Sequence, residues 1–202
     1  MKTRVVTLLA AALLVSGCGF VGDGADEGRQ EEPVKENHMT MQEAGDRAEE
    51  MLDAFLGATH PSVAVIPGAS SASTCSDSTG TGSVTRRRAV VTIISSERRG
   101  NFLGVVERYW KKHGYKITSV VDNKEMPAIY ATAPNDFRVA LEFGYAGQAN
   151  FVAVSPCVTE SKVTEPSRKP VDPEAFKSEG LPYLHSDFWS RKAPDPSSSP
   201  SA

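Results

Sequence analysis

The chain lacks the residue patterns that most often mark metal or redox enzymes. It has three cysteines and four histidines among its 202 residues, and no two cysteines form a Cys-x-x-Cys pair. The histidines are dispersed along the sequence as His38, His60, His113 and His185. Because a zinc or redox site needs several such side chains at short, regular spacings, we expect neither a metal centre nor a cofactor.

Motifs for nucleophilic, phosphate or nucleic-acid chemistry are also missing from the sequence. The serine-rich loop that begins near Ser70 contains no Gly-x-Ser-x-Gly sequence. Gly80 and Gly82 precede a predicted strand, whereas a phosphate-binding glycine loop precedes a helix. The net charge of −3 argues against a nucleic-acid binder, which would carry a basic face. We therefore predict a protein that binds or interacts, not an enzyme.

The longest apolar run lies at the start of the chain. Lys2 and Arg4 precede a stretch from Val5 to Val15 that only Thr7 interrupts. A basic start followed by about 11 apolar residues has the proportions of a signal peptide. A transmembrane helix would need roughly 20. We therefore predict that residues 1–17 are an export signal and that no other part of the chain crosses a bilayer.

The residues at the end of this run, Val15-Ser16-Gly17-Cys18, resemble the lipobox of bacterial lipoproteins. The resemblance implies cleavage before Cys18 and a diacylglycerol on the Cys18 thiol; the alternative is an ordinary secretory peptide followed by a chance cysteine. Two or more acyl chains hold a protein stably at a membrane. We therefore expect a lipid-anchored protein at the outer, extracytoplasmic face of the cell membrane.

Composition divides the remaining chain into a folded domain between two polar segments. Residues 18–39 are rich in Gly, Asp and Glu and predict a flexible tether, whereas residues 159–202 are rich in Pro and Ser and predict a largely disordered tail. An apolar island from Leu181 to Trp189 interrupts this tail. It either folds back over the domain or is a short linear motif for a partner, unless its composition is accidental. The predicted domain spans residues 40–158.

Two helices and five strands are predicted within the domain. Thr40 and Glu43 form a capping-box pattern at the start of the first helix, which Gly57 ends. The second helix covers residues 98–113. Apolar alternation and short turn sequences predict strands at 84–94, 115–121, 128–132, 137–143 and 151–155. Because four of these strands follow the second helix in succession, we predict an α+β domain: a mainly antiparallel sheet of about five strands with two helices packed on one face.

The clearest alternation lies in the strand at 137–143. One side of this strand carries four large apolar residues, Phe137, Val139, Leu141 and Phe143. Since successive side chains of a strand point to opposite faces, we expect these four in the core and Arg138 and Glu142 facing away from it.

Lipidation of Cys18 would leave Cys75 and Cys157 as the remaining cysteines. An exported chain meets an oxidising environment, in which an even pair is usually a disulfide. We predict this bond, which would fix the loop around Cys75 to the end of the last predicted strand. A metal or redox pair is the alternative, but no histidine lies within ten residues of either cysteine.

The most pronounced charge feature is the run Arg86-Arg87-Arg88 at the start of a predicted strand. Alternation places Arg86 and Arg88 on one face and Arg87 on the other. These arginines are either solvated charges at the edge of the strand or part of an anchor for an anionic partner. Such a partner would be lipid head groups, a wall polymer or an acidic envelope protein. Lys116 and Arg138 would then extend the patch on the same sheet.

Together, the lipobox, the Ser/Thr-rich loop and the cysteine pair resemble small, uncharacterised lipoproteins of high-GC Gram-positive (actinobacterial) bacteria. The segment from Phe102 to Trp110, followed by Gly114-Tyr115, is similar to a helix-then-strand signature of that group. The resemblance implies no catalytic residue. The function we expect is that of a membrane-anchored binding or interaction module; the alternatives are a small-ligand or lipid carrier and a cell-envelope enzyme.

Overall fold

The structure, a computed structural model, describes residues 39–76, 79–166 and 180–192. The predicted signal peptide, Cys18 and nearly all of the predicted tether lie outside these residues, as do parts of the predicted tail. The described residues have the predicted α+β architecture, with helices α1 (Met41–Gly57) and α2 (Ser96–Lys112) packed against one antiparallel sheet. Its strands are β1 (Val65–Pro67), β2 (Ser71–Thr74), β3 (Thr81–Val90), β4 (Lys116–Val121), β5 (Ala128–Thr132), β6 (Arg138–Phe143), β7 (Ala149–Val154) and β8 (Val158–Thr159).

Helix α1 begins at the capping box that the sequence predicts. The Glu43 backbone N–H donates to the Thr40 hydroxyl at 3.3 Å, and the Thr40 backbone N–H donates to the Glu43 carboxylate at 2.8 Å. These bonds satisfy backbone groups that the start of a helix leaves without intrahelical partners. The backbone hydrogen bond from Thr40, and then that of its side chain, lower the pKa of Glu43. The capping carboxylate is therefore held in its charged form.

Strand β3 organises the sheet because four strands pair with it. Strands β1 and β2 lie along one side of β3, and β7 and β8 lie along the other. From β7 the order continues through β6 and β5 to β4, and each neighbouring pair is antiparallel. The five predicted strands correspond to β3 to β7. The sequence misses β1, β2 and β8, which have two to four residues each and are too short for an alternating pattern to stand out.

Both helices bury their apolar sides against the same face of the sheet. The four residues predicted to face the core from β6 and its preceding residue are all at most 5% exposed: Phe137, Val139, Leu141 and Phe143. Opposite them, α1 contributes Leu52 and Phe55 and α2 contributes Phe102 and Trp110, all buried. The Phe151 ring lies between the two helices, with its centroid 4.7 Å from that of Phe55 and 5.9 Å from that of Phe102.

The apolar island of the predicted tail packs back onto the domain. Trp189 is 1% exposed, and its ring meets that of Phe102 edge-on with centroids 5.0 Å apart. The indole N–H of Trp189 donates to the Pro61 carbonyl at 2.7 Å, and the Ile93 N–H donates to the Leu184 carbonyl at 2.8 Å. The folded body therefore continues beyond residue 158, because the sheet and α2 need Trp189 to complete their core.

The predicted disulfide between Cys75 and Cys157 is present, and it closes a loop of 82 residues. Cys75 directly follows β2 and Cys157 directly precedes β8. Since β2 and β8 flank β3 on opposite sides, the disulfide links β2 to β8 across the start of β3.

Candidate binding surface on the open face of the sheet

The structure does not bring the predicted patch of Arg86, Arg88, Lys116 and Arg138 together on one surface. Arg86 and Arg88 lie beneath α1, where they are 2% and 0% exposed, so neither can meet an external anion. They are also not solvated charges at the edge of a strand, because β3 is paired on both sides. This part of the prediction is wrong, and the reason is that the arginine-bearing face of β3 is the face that α1 covers.

The buried arginines find their partners on α1. An Nη2 hydrogen of Arg88 is donated to Glu49 Oε2 at 2.6 Å, and the same nitrogen lies 3.5 Å from Asp53 Oδ1. Arg86 Nη2 donates to the Thr164 carbonyl at 2.7 Å, and its Nε lies 3.4 Å from Glu49 Oε1. Burying a charge is costly unless it is paired and hydrogen-bonded. The ion pairs therefore fix α1 to the sheet and leave no binding role to these two residues.

The opposite face of the sheet, here called the open face, carries the remaining basic residues. Residues directly opposite each other on neighbouring strands project to the same side, so the strand registers define this face. One row of paired residues crosses five strands through Arg87, Val152, Ala140, Tyr130 and Ser119. Arg87 thus lies opposite to Arg86 and Arg88, as the alternation predicts.

Two further rows flank this one on the open face. The first contains Thr85, Val154, Arg138, Thr132 and Lys116, and the second contains Ala89, Asn150, Glu142, Ala128 and Val121. Lys116 and Arg138 therefore do share a face, with Thr132 between them. Arg87, which the predicted patch leaves out, is the arginine of β3 that accompanies them.

A groove of about 620 Å³ lies over the middle of the open face. Its floor is apolar, formed by Ala140 and Val152, which are only 8% and 7% exposed although neither α1 nor α2 covers them. The small side chain of Ala140 lowers the floor, and longer side chains rise around it. The polar or charged residues that line the groove are Thr118, Ser119, Tyr130, Thr132, Arg138 and Glu142. Its volume falls within the range of small-molecule sites, roughly 300–1,000 Å³.

The two ends of the groove differ in charge. Arg138 and Glu142 lie four residues apart on β6, which corresponds to about 13 Å along a strand. Arg138 has Lys116 on the same row, whereas Glu142 has a hydrogen-bonding partner in Tyr130. Burial, then the hydrogen bond to Glu142 and its negative charge, raise the pKa of Tyr130. Tyr130 therefore remains a neutral hydrogen-bond donor, and the groove has a basic end and an acidic end.

One corner of the open face is covered by the C-terminal island. Tyr183, with Leu181 and Leu184 beside it, packs on Ile66 and Ala89 and forms a second, small apolar cluster there. Ala89 is the β3 residue of the Glu142 row. The residues that line the groove itself belong only to β4–β7, so within the described part of the chain nothing lies over it.

The sequence contains part of the signal for this surface. It correctly turns Arg138 and Glu142 away from the core, but it gives no role to Tyr130 or to the groove. The groove could have been predicted from Ala140 and Val152, which occupy positions facing away from the core. A solvated sheet face carries polar side chains at such positions. Apolar residues on the outer side of adjacent strands predict either a second covering layer or a binding surface.

The described residues contain no other arrangement that suggests chemistry. Over 39–76, 79–166 and 180–192, no three His, Cys, Asp or Glu side chains gather as a metal-binding group. No helix in those ranges is both long enough and apolar enough to cross a membrane.

Comparison with known proteins finds a distant structural likeness. No protein-family model matches the chain, and no curated protein matches it. Among solved structures, the chain is similar to a DUF4853 family protein from the actinobacterium Actinomyces odontolyticus, with a TM-score of 0.37 and 13% sequence identity. The alignment covers 66% of this chain and 70% of that one. At this distance the function has to be argued from the surface itself.

Proposed function

We propose that this protein is a membrane-anchored, extracytoplasmic binding domain and that the groove on the open face holds its ligand. The observation that carries the proposal is an apolar floor between Arg138 at one end and Glu142 at the other, on a sheet whose opposite face is largely covered by the two helices. A rigid sheet holds such groups at fixed distances, which favours recognition with little loss of entropy on binding.

The ligand that fits this groove is amphipathic and anionic. Arg138 can pair with a carboxylate or phosphate through two parallel hydrogen bonds, and Lys116 adds a second positive charge on the same row. The apolar part of the ligand would lie on Ala140 and Val152. Glu142 repels a second negative group at the far end. A phosphate-bearing lipid or a phosphate-bearing wall polymer of the cell envelope has this chemistry.

Binding without catalysis is the form of the proposal that the groove supports best. Its titratable groups are Arg138, Glu142 and Tyr130, and Glu142 is engaged with the hydroxyl of Tyr130. Among the described residues, the Thr118, Ser119 and Thr132 hydroxyls of the groove make no hydrogen bond to a histidine or a carboxylate, which a serine- or threonine-based transfer site would need. A carrier with its cavity between the helices and the sheet is less favoured, because the rings of Phe55, Phe102 and Phe151 fill that space.

Ligand binding can be tested with two short-chain lipids that differ in charge. Dihexanoyl phosphatidic acid and dihexanoyl phosphatidylcholine, each below its micelle concentration, would be titrated into the isotopically labelled protein and followed by NMR. We expect the anionic lipid to shift the amide signals of β5, β6 and β7 and to bind more tightly. Soluble glycerol phosphate polymer as a third ligand separates a lipid from a wall polymer as the source of the phosphate.

Variants locate the site of binding. Arg138→Gln removes the charge at the basic end, and we expect it to weaken binding about tenfold, the equivalent of about 1.4 kcal/mol. Arg108→Gln is the matched control, because Arg108 is an exposed arginine on α2. An equal loss for both variants, or shifts confined to the helices, would contradict the proposed site.

The membrane anchor is a separate part of the proposal and rests on the lipobox resemblance at Cys18. We expect the natural protein to incorporate labelled palmitate and to stay with membranes after a high-salt wash. Cys18→Ala should abolish both, because the variant has no thiol to acylate and a signal peptide that has been cleaved off no longer holds the chain at the membrane. Membrane retention of the unlabelled Cys18→Ala protein would exclude lipid as the anchor.

A further inference from the structure

A second groove, of about 580 Å³, runs between α2 and the outer strand β4 and shares no lining residue with the groove on the open face. Two of the five exposed large apolar side chains among the described residues belong to the end of β4 that lines this groove: Val120 at 54% and Val121 at 42% exposed. Val120 faces α2 and Val121 projects to the open face, so a strand added at this edge would find an apolar contact on either face.

The backbone of β4 is also available there. Strand β4 ends the strand order and, within the described residues, pairs only with β5. Edge strands are commonly protected by charges, prolines or bulges, because their unpaired backbone groups accept further strands. In β4, Lys116 and a bulge between Ile117 and Ser119 protect the first half. The second half, Ser119 to Val121, is uncharged and regularly paired with β5, and it is the half that adjoins the groove.

Charge restricts which segment could be added to this edge. Three carboxylates and one lysine line the groove: Glu97, Glu107, Asp122 and Lys124. Lys111 lies beside it and pairs with Glu107 at 2.6 Å, so one negative charge remains in excess. An acidic segment would be repelled, and a second copy of this chain would bring the same acidic groove against the first.

The shape of α2 makes the groove. Gly100 and Gly104 line it from the helix, and a Cβ atom added at Gly100 would meet no atom within 4 Å. The helix therefore leaves a space beside Val120 wide enough for a side chain from outside.

We propose that the edge of β4 takes up an extended, basic segment of a partner protein as an additional strand. Backbone hydrogen bonds to Ser119–Val121 would give affinity, as in other cases of β-strand addition. Because successive side chains of a strand point to opposite faces, the lysine or arginine side chains of the segment would enter the groove toward Glu97 and Asp122. Its apolar side chains would lie on the other face, beside Val121. The groove beside Val120 shares no lining residue with the groove on the open face, so this proposal survives if the ligand proposed above does not bind.

The probe for the test is a short synthetic peptide with blocked ends in which lysine and valine alternate. Its fluorescently labelled form would be titrated into the full protein in mild detergent, and hydrogen–deuterium exchange would be measured on the same complex. We expect binding with slower exchange of the β4 amides. A peptide in which glutamate replaces lysine should bind at least about tenfold more weakly, and one with a central proline likewise, since proline cannot donate to the ladder.

Two variants and two controls decide the location. Gly100→Leu fills the groove, and Glu97→Gln removes one of the carboxylates that the lysine side chains would face; each should weaken binding of the lysine–valine peptide about tenfold. Glu50→Gln, on the exposed side of α1, and Arg138→Gln, on the open face, should leave it unchanged. Equal binding of the lysine and glutamate peptides, protection elsewhere in the sheet, or β4 amides already protected by a second copy in the free protein would each overturn the proposal.

Discussion

Arginines from one strand have opposite fates on the two faces of the sheet. Under α1, Arg88 is fully buried and bonds to Glu49 at 2.6 Å. On the open face, its neighbour Arg87 is half-buried, and its Nη1 donates to the Ala69 carbonyl at 2.9 Å near solvent. The difference shows that a run of charges in a strand does not by itself indicate a solvated surface. What covers each face decides whether a charge supports the fold or is free to meet a ligand.

The largest expected effect comes from the C-terminal island, whose residues pack against both faces of the sheet. Trp189→Ala should lower the free energy of unfolding by about 4 kcal/mol, the usual cost of truncating a buried tryptophan, because Trp189 packs on Phe102 in the main core. Urea unfolding would measure it. Phe188→Ala, next in the chain but 39% exposed, should cost less than about 1 kcal/mol. Similar losses for the two variants would mean that the island is not part of the core.

Replacing Arg88 and Arg87 one at a time tests directly whether arginines on the two faces of the sheet differ in their contribution to stability. Arg88→Ala should lower the free energy of unfolding by about 3 kcal/mol, because it removes the guanidinium that hydrogen-bonds to Glu49 beneath α1 and leaves only Arg86, at 3.4 Å, beside that carboxylate. Arg87→Ala, on the open face, should cost less than about 1 kcal/mol. Chemical denaturation of both variants checks this.

A double mutant identifies the partner of Arg88. Combining Arg88→Ala with Glu49→Ala should destabilise the protein by at least about 1 kcal/mol less than the sum of the two single changes, as expected for residues in one network. Additive losses would show that the ion pair contributes nothing beyond packing.

Two partly buried tyrosines should make the stability of the folded protein depend on alkaline pH. Burial raises the pKa of Tyr109 and Tyr115, so their protons are lost more easily from the unfolded chain, whose tyrosines titrate near about pH 10. Stability should be fully present below that pH and fall as pH rises through the folded pKa values. Tyr115→Phe should flatten this fall in a series of unfolding curves, whereas Tyr145→Phe, at a residue 93% exposed, should leave it as it was.

The smallest effect tests the acidic end of the groove on the open face. Glu142→Gln removes the negative charge that helps raise the pKa of Tyr130. We expect this pKa to fall, while staying above its ordinary value because burial, the largest cause, is unchanged. NMR of the ring carbons reports the titration. An unchanged Tyr130 titration would show that the two side chains do not interact.

Local patterns were enough to predict most of the fold. The capping box at Thr40 is a short-range signal, and the alternation in 137–143 reads directly as one buried and one outer side. The disulfide between Cys75 and Cys157 follows from the cysteine count once Cys18 is set aside. Strands β1, β2 and β8 are not predicted, because their pairing with β3 is decided by long-range contacts and not by their own few residues.

The fate of Arg86 and Arg88 could not be read from β3 alone, but a complementary pattern exists on α1. Glu49 and Asp53 stand four residues apart on the helix, about 6 Å along its axis, and two arginines at alternate positions of a strand are separated by about 6.6 Å. Matching spacings of opposite charge predict a pair of facing elements. Considered by itself, α1 gives no sign that these two carboxylates are covered, because acidic side chains on a helix are usually exposed to solvent.

The hydrogen bond from Trp189 to Pro61 joins residues 128 positions apart. A ribosome releases the N-terminal part of a chain first, so α1, α2 and the whole sheet are made well before the residue that seals their core. Until Trp189 arrives, the ring of Phe102 keeps one side uncovered. The core is therefore completed only when the last packed segment has been made. A chain interrupted before residue 189 would expose the apolar side of Phe102, by which chaperones and proteases could recognise it as incomplete.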